Sequence, residues 1–280
     1  MTVWICQTCA IEHADTEQPP VICEICVDDR QWVPVAGQQW THREQLRQLG
    51  YRTRIDELEP GLHGITVSPK LGIGQRGLLL CTEGGNLLFD PPGYIDQEAI
   101  DVVRDLGGVA VIASSHPHLT GASIQWSHAF GGVDVLVADA DREWVRRPDP
   151  VIRFWRDETE LLPGVRIVQC GGHFPGSSVV DWQGGADGRG VLLTGDTLMV
   201  NPDHKTIAVM WSFVNRVPLS QTAIRGIQFA IQPLQYDRIY DGWDALGTGA
   251  RSRVTASLER YLAVETARQV PPVAVPTPSC

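Results

Sequence analysis

Short apolar runs alternate with turn residues through most of the chain. The stretches 65–67, Gly77-Leu78-Leu79-Leu80-Cys81 and Asn86-Leu87-Leu88-Phe89-Asp90, the last after Gly84-Gly85, predict successive hairpin strands at the start of a sheet. Asp96 is placed to cap a helix with Ile100, Val103 and Leu106 on one face, stopped by Gly107-Gly108. Gly108-Val109-Ala110-Val111-Ile112-Ala113 then reads as a buried strand, giving a strand, helix, strand progression. Two more buried strands are predicted at 165–168 and 191–193. Ser220 caps a helix with Ile224, Ile227 and Ile231 inward, and a final helix carries Val254, Leu258, Tyr261 and Leu262. Nearer the start, Thr41-His42-Arg43-Glu44 has the form of a capping box before Leu46 and Leu49, which predicts a linking helix within 37–62.

Composition fits an ordered chain able to bury one substantial core: 280 residues, 43% hydrophobic and 20% charged. The formal net charge of -10 opposes binding to a phosphate backbone, so no nucleic acid is expected as a partner. No apolar run approaches the length of a membrane span, and Met1-Thr2-Val3-Trp4 has no basic leader, so a cytoplasmic protein with no membrane partner is expected. Gly72-Ile73-Gly74-Gln75-Arg76-Gly77 has dinucleotide-fingerprint spacing but leads into a strand, whereas phosphate binding needs a helix N-terminus there. From about residue 266 the Pro-rich sequence predicts a flexible tail, 267–280, ending in a free thiol at Cys280.

Candidate chemistry begins with the cysteines. Of seven, four fall in two knuckles, Cys6-x2-Cys9 and Cys23-x2-Cys26, separated by thirteen residues. Four thiolates at this spacing suit one tetrahedral ion, which would supply much of the folding free energy of a segment of about thirty residues. We expect a four-cysteine module at 1–36. It resembles a zinc ribbon and, more distantly, rubredoxin, although Ala10 and Val27 stand where glycines usually follow the knuckles. Zinc is the expected structural metal, with iron the alternative. His13, His42 and His63 have no partner at ligand spacing and read as surface or cap residues.

The second group lies at strand ends. Ser115-His116-Pro117-His118 terminates the buried strand, Gly171-Gly172-His173-Phe174-Pro175-Gly176-Ser177 follows 165–168, and Asp196 follows Val191-Leu192-Leu193-Thr194-Gly195. One arrangement recurs three times: a buried strand presenting a metal-competent side chain at its end. His204 reads as an exposed turn residue. His128 falls on the helix after the metal loop and supports that loop.

With these motifs in place, residues 60–265 resemble the metallo-β-lactamase superfamily. The resemblance implies an α/β (α+β) fold, an αββα sandwich of two mixed sheets flanked by helices, over 63–266. It also implies that His116, His118 and His173 hold one ion, with Asp196 bridging to, or helping to hold, a second. The family pattern His-x-His-x-Asp-His here reads His116-Pro117-His118-Leu119-Thr120-Gly121, and Gly242-Trp243 stands where a late Gly-His is usual. The second site has thus lost three of its usual ligands, which predicts a single Zn or Fe ion held by His116, His118, His173 and Asp196.

The leading expectation is a mononuclear hydrolase of a small ester, thioester, lactone or amide. Its nucleophile would be metal-bound hydroxide, and the catalytic Asp196 would assist proton transfer where it does not close the fourth position. A small-molecule substrate is the expected partner, with oligomeric state left open. The alternative is a non-catalytic, ligand-sensing member that uses the cysteine module as a partner interface. An iron redox protein ranks third, because members with rubredoxin-type modules use two irons. Two-metal nucleases are disfavoured for the same reason. Met210-Trp211-Ser212-Phe213 and Trp243 are expected to supply apolar walls near the site.

Overall fold

The computed structural model describes residues 1–267. The expected tail lies outside the described residues from 268 onward, Cys280 included, and its first residue, Ala267, ends the last helix. The chain opens with a three-stranded antiparallel sheet in which β1 (Thr2–Cys6) is flanked by β2 (Glu12–Thr16) and β3 (Trp40–Thr41). This sheet frames the two cysteine knuckles.

The expected linking helix covers only Arg43–Gln48, and its cap is His42 rather than Thr41. The His42 imidazole accepts the Gln45 N–H, while Thr41 Oγ1 donates to Gln45 Oε1 at 3.0 Å. The rest of 37–62 is not a linker. β4 (Arg52–Glu59) is the outermost strand of a seven-stranded sheet that continues through β5 (Leu62–Ser68), β6 (Gly77–Thr82), β7 (Gly85–Phe89), β8 (Val111–Ala113), β9 (Val135–Ala138) and β10 (Ile152–Trp155). The first four strands run antiparallel and the last four parallel.

A six-stranded sheet begins with the meander β11 (Glu158–Leu162), β12 (Val165–Gln169), β13 (Ser178–Trp182) and β14 (Val191–Leu193). Two small hairpins follow, β15 (Met199–Val200) with β16 (Ile207–Ala208) and β17 (Met210–Ser212) with β18 (Val217–Pro218). The chain then returns to the sheet as β19 (Arg238–Tyr240), parallel to β14, and β20 (Ala245–Leu246), antiparallel to β19.

Alternation along the strands builds the layers, since successive side chains of a strand face opposite sides. Leu78, Leu80, Leu87, Phe89, Val111 and Ala113 meet Val165, Ile167, Val180, Trp182, Val191 and Leu193 between the two sheets. The intervening Leu79, Leu88 and Ile112 face outward onto Ile100, Val103, Ile124 and Trp126 of the helices Gln97–Asp105 and Ser123–Ala129. On the far side Leu192, Val179 and Ile239 pack under Ile224, Ile227 and Ile231 of Gln221–Ile231 and Val254 and Leu258 of Ala250–Ala267. The result is the αββα sandwich of two mixed sheets, with Asp96 and Ser220 capping the helices as expected. Among the described residues, no helix is long and apolar enough to cross a membrane.

Glu59, at the end of β4, joins the sheets at one edge. Its carboxylate accepts from Tyr240 Oη and Arg238 Nη1, each at 2.7 Å, and from the Ala186 N–H at 2.9 Å.

Candidate metal centre

The C-terminal ends of β8 and β14, one from each sheet, bring the site together. After β8 the backbone stays extended through His116, with φ -168° and ψ 172°, then tightens into a single 3-10 turn at Pro117–Leu119. This break in backbone direction lets residues two apart converge. Past β12, Cys170 and Gly171 donate their N–H groups to the Ser177 carbonyl at 2.7 and 2.9 Å, closing the loop that carries His173. The Ser178 N–H and Oγ both donate to the Ser115 carbonyl, at 3.0 and 3.2 Å, and so tie that loop to the first. Asp196 sits in the turn Gly195–Leu198 after β14.

His116, His118, His173 and Asp196 are all buried, and one donor atom of each lies within 4.8 Å of the others. His116 Nε2 and His173 Nε2 lie 3.6 and 3.8 Å from Asp196 Oδ2, and His118 Nδ1 lies 3.3 Å from His173 Nε2. Ligands about 2.0–2.2 Å from a tetrahedral Zn2+ stand roughly 3.3–3.6 Å apart, so the set has the right size. Among the described residues, Nε2 of His116 and Oδ1 of Asp196 have no hydrogen-bond partner, a costly state for buried polar atoms. The residues fit one divalent ion.

The electrostatics agree. Burial, reinforced by the neighbouring His173, pushes His116 and His118 well below the usual imidazole range. Burial also pushes His173 down to about 4. All three rings are therefore neutral and offer lone pairs. Burial first, and the Asp241 carboxylate second, push the Asp196 carboxyl up to about 7.

The ring orientations are fixed from behind. His173 Nδ1–H points at the carbonyls of Trp211, at 2.8 Å, and Met210, at 3.2 Å; these can only accept, which leaves Nε2 as the lone pair facing the site. His116 Nδ1 lies 2.9 Å from Ser115 Oγ, and the Ser115 N–H donates to the buried Asp90 at 2.6 Å. Gly195 permits this arrangement. With φ +46° it places a hypothetical Cβ 2.1 Å from Ser115 Oγ, so any side chain there collides with the support of His116.

The cysteine group has its own geometry. Cys6 Sγ and Cys26 Sγ lie 3.6 Å apart, and Cys9 Sγ and Cys23 Sγ 3.7 Å, far beyond the disulfide bond length of about 2.0 Å. They are close to the edge of about 3.8 Å expected for a tetrahedron of Zn–S bonds. Hydrogen bonds from the other cysteines, Cys26 first, hold the Cys23 thiol far below the usual thiol range. Gln38 Nε2 donates to Cys6 Sγ at 2.9 Å.

His13 corrects its sequence reading as a surface or cap residue. It is buried, stands edge-on to Trp40 at 4.7 Å, and places Nε2 3.4 Å from Cys23 Sγ. His42 is a cap. His204 lies in an exposed turn beside Asp244, and His128 on its helix lies 3.1 Å from Asp149; neither joins the four donors. Phe213 does reach the site, 5.7 Å from the His173 ring.

Sequence reasoning missed Asp90, Ser115 and Arg30. Asp90 ends an apolar strand in the same way as Asp196 and was open to the same argument. Arg30 carries no local signal.

No family model matches the chain. The fold is similar to solved structures of VMB-1, with a TM-score of 0.57, 12% identity and coverage of 76% of this chain and 98% of that one, and of the metallo-β-lactamase DIM-1, with 0.54, 16%, 77% and 98%. TMB-1 is similar at 0.55, 14%, 77% and 98%. At these identities the likeness is one of fold. In sequence, the uncharacterized protein YmaE of Bacillus subtilis (strain 168) is 37% identical over 265 residues, 94% of this chain and 96% of that one. The chain has the metallo-β-lactamase fold, preceded by a four-cysteine group, and belongs to the same family as YmaE.

Proposed function

We propose that the protein is a single-ion hydrolase of a small ester, thioester, lactone or amide. One observation carries this reading: three neutral imidazoles and one carboxylate converge at the sheet edge with unpartnered atoms, in a lactamase-type fold. When bound, a zinc ion supplies Lewis-acid polarisation and lowers the pKa of a water to about 7. His116, His118 and His173 would hold it; the Trp211 carbonyl fixes the His173 tautomer, and Ser115 Oγ, 2.9 Å from His116 Nδ1, steadies the His116 ring. Asp196 offers Oδ2 to the same centre, while Oδ1, buried and unpartnered, is free to accept a proton. Phe174 and Phe213 wall the imidazoles and keep bulk water from them.

The same features support one centre rather than two. Thr120 and Gly121 occupy the positions of the missing ligands, and Gly121 has no room for a replacement. A Cβ there would lie 1.9 Å from the Pro91 carbonyl oxygen.

Zinc-loaded protein tested against esters, thioesters, lactones and cyclic amides is expected to turn over at least one class. His116→Ala is expected to abolish turnover together with the centre's ion, and Asp196→Asn to lower kcat by about 10²–10⁴-fold. Activity that survives ion removal overturns the reading.

Burial favours a second reading. The most exposed of the four donors, Asp196, shows only 7% of its surface, and a closed four-ligand shell is the mark of a structural ion. In that case the protein holds its ion without turnover, and a fully loaded centre inert to the whole panel decides for it.

A further inference from the structure

We infer that the four-cysteine module is a working part of the histidine centre, with Arg30 as a positioning residue that holds the His173 loop. The inference rests on the metal-centre reading above.

Arg30 follows the second knuckle by four residues and is nearly buried. Asp28 clamps it in a bidentate pair, Oδ1 to Nε at 2.6 Å and Oδ2 to Nη2 at 2.9 Å. The remaining nitrogen, Nη1, donates to the His173 carbonyl at 3.1 Å, across 143 residues of sequence. The guanidinium carbon lies 3.6 Å from the centroid of Phe174, with Trp144 and Trp211 at 5.3 and 5.6 Å. The Phe174 ring itself contacts all three imidazoles, with centroids 5.6, 4.7 and 5.2 Å from those of His116, His118 and His173. One cation therefore grips the main chain of a ligand and stacks on the ring that packs against the whole set.

A second grip runs in parallel. The Asp29 carbonyl accepts Ser212 Oγ at 3.0 Å and Asn215 Nδ2 at 2.6 Å. These residues belong to the β17–β18 hairpin, whose Met210 and Trp211 carbonyls orient the His173 ring. Residues 28–30 thus fix both the backbone of His173 and the acceptor of its Nδ1 proton. Outer partners of this kind are typically worth 10–100-fold in metal affinity.

The test is a cobalt titration of the metal-free full chain. Thiolate-to-cobalt charge transfer marks the cysteine group, and ligand-field bands without it mark the His/Asp centre. Arg30→Met is expected to weaken cobalt binding at the His/Asp centre by about tenfold or more and to change its ligand-field spectrum, with cysteine-site affinity unchanged. Arg30→Lys, which keeps the charge and one donor, is expected to recover part of the loss. Should Arg30→Met fail to fold by circular dichroism, Ser212→Ala/Asn215→Ala carries the test, with a loss of the same sign expected. Wild-type uptake at the imidazoles with unchanged affinity and spectrum in the folded variants overturns the coupling alone. A wild-type chain that takes up no cobalt there overturns the metal-centre reading with it.

Discussion

Asp141 carries a carboxyl into the interior beside the His173 loop. It is 2% exposed; Oδ1 accepts the Gly176 N–H at 2.8 Å, and Oδ2 has no hydrogen-bond partner among the described residues. Burial pushes this carboxyl up to about 6 from an ordinary value of 3.8. The folded chain therefore binds the proton more tightly than the unfolded chain. Stability from the neutral form is complete below about 3.8 and is lost as pH rises through about 6. Asp141→Asn keeps the acceptor for Gly176 and stays neutral throughout. It is predicted to exceed the wild type in stability by roughly 2–3 kcal/mol at about pH 8, with the gain fading towards about pH 4, as read by urea unfolding across that range. A gain that does not vary with pH contradicts the assignment. Nothing in Asp139-Ala140-Asp141 distinguishes this residue in the sequence, because its burial comes from the loop that folds over it.

The loop after β8 shows how an element can close off a site as well as build one. Gly121 has φ +49° and no space at Cβ, and its carbonyl accepts the Glu12 N–H of the cysteine module at 3.0 Å. Glu12 also receives the Ile124 N–H at 2.5 Å, at the start of the next helix, and pairs with Arg147. Gly121, one of the positions where the resemblance expects a second-ion ligand, is thus committed to docking the N-terminal module. Thr120→Asp/Gly121→His is predicted to gain no ion and to lose about 2 kcal/mol or more, checked by metal content and denaturant midpoint. The elements that were legible in advance were those with a strong rhythm. Leu78–Leu80 and Leu87–Phe89 are buried on both faces and read as near-continuous apolar runs. β4, Arg-Thr-Arg-Ile-Asp-Glu-Leu-Glu, was not legible: an edge strand covered on one face can be mostly charged. The two hairpins between β14 and β19 have strands of two or three residues, too short for any period to show.

At the scale of the whole molecule, two mixed sheets pack face to face, and a small module reaches across to the edge where β8 and β14 end. The convergence of the four strand-end donors was legible in the sequence because each follows a buried run, and a repeated arrangement is a stronger signal than any single histidine. The reach of Arg30 to His173 and of Asp29 to Ser212, 143 and 183 residues apart, exists only once the chain is folded. That proximity makes the molecule one unit with two centres, each expected to hold one ion. Metal content per chain tests this most directly. The expected content is about two ions in the wild type, about one in Cys9→Ser and about one in His116→Ala, the survivor in the last being the cysteine-bound ion. About three ions in the wild type, or a folded His116→Ala chain that keeps both, would contradict it.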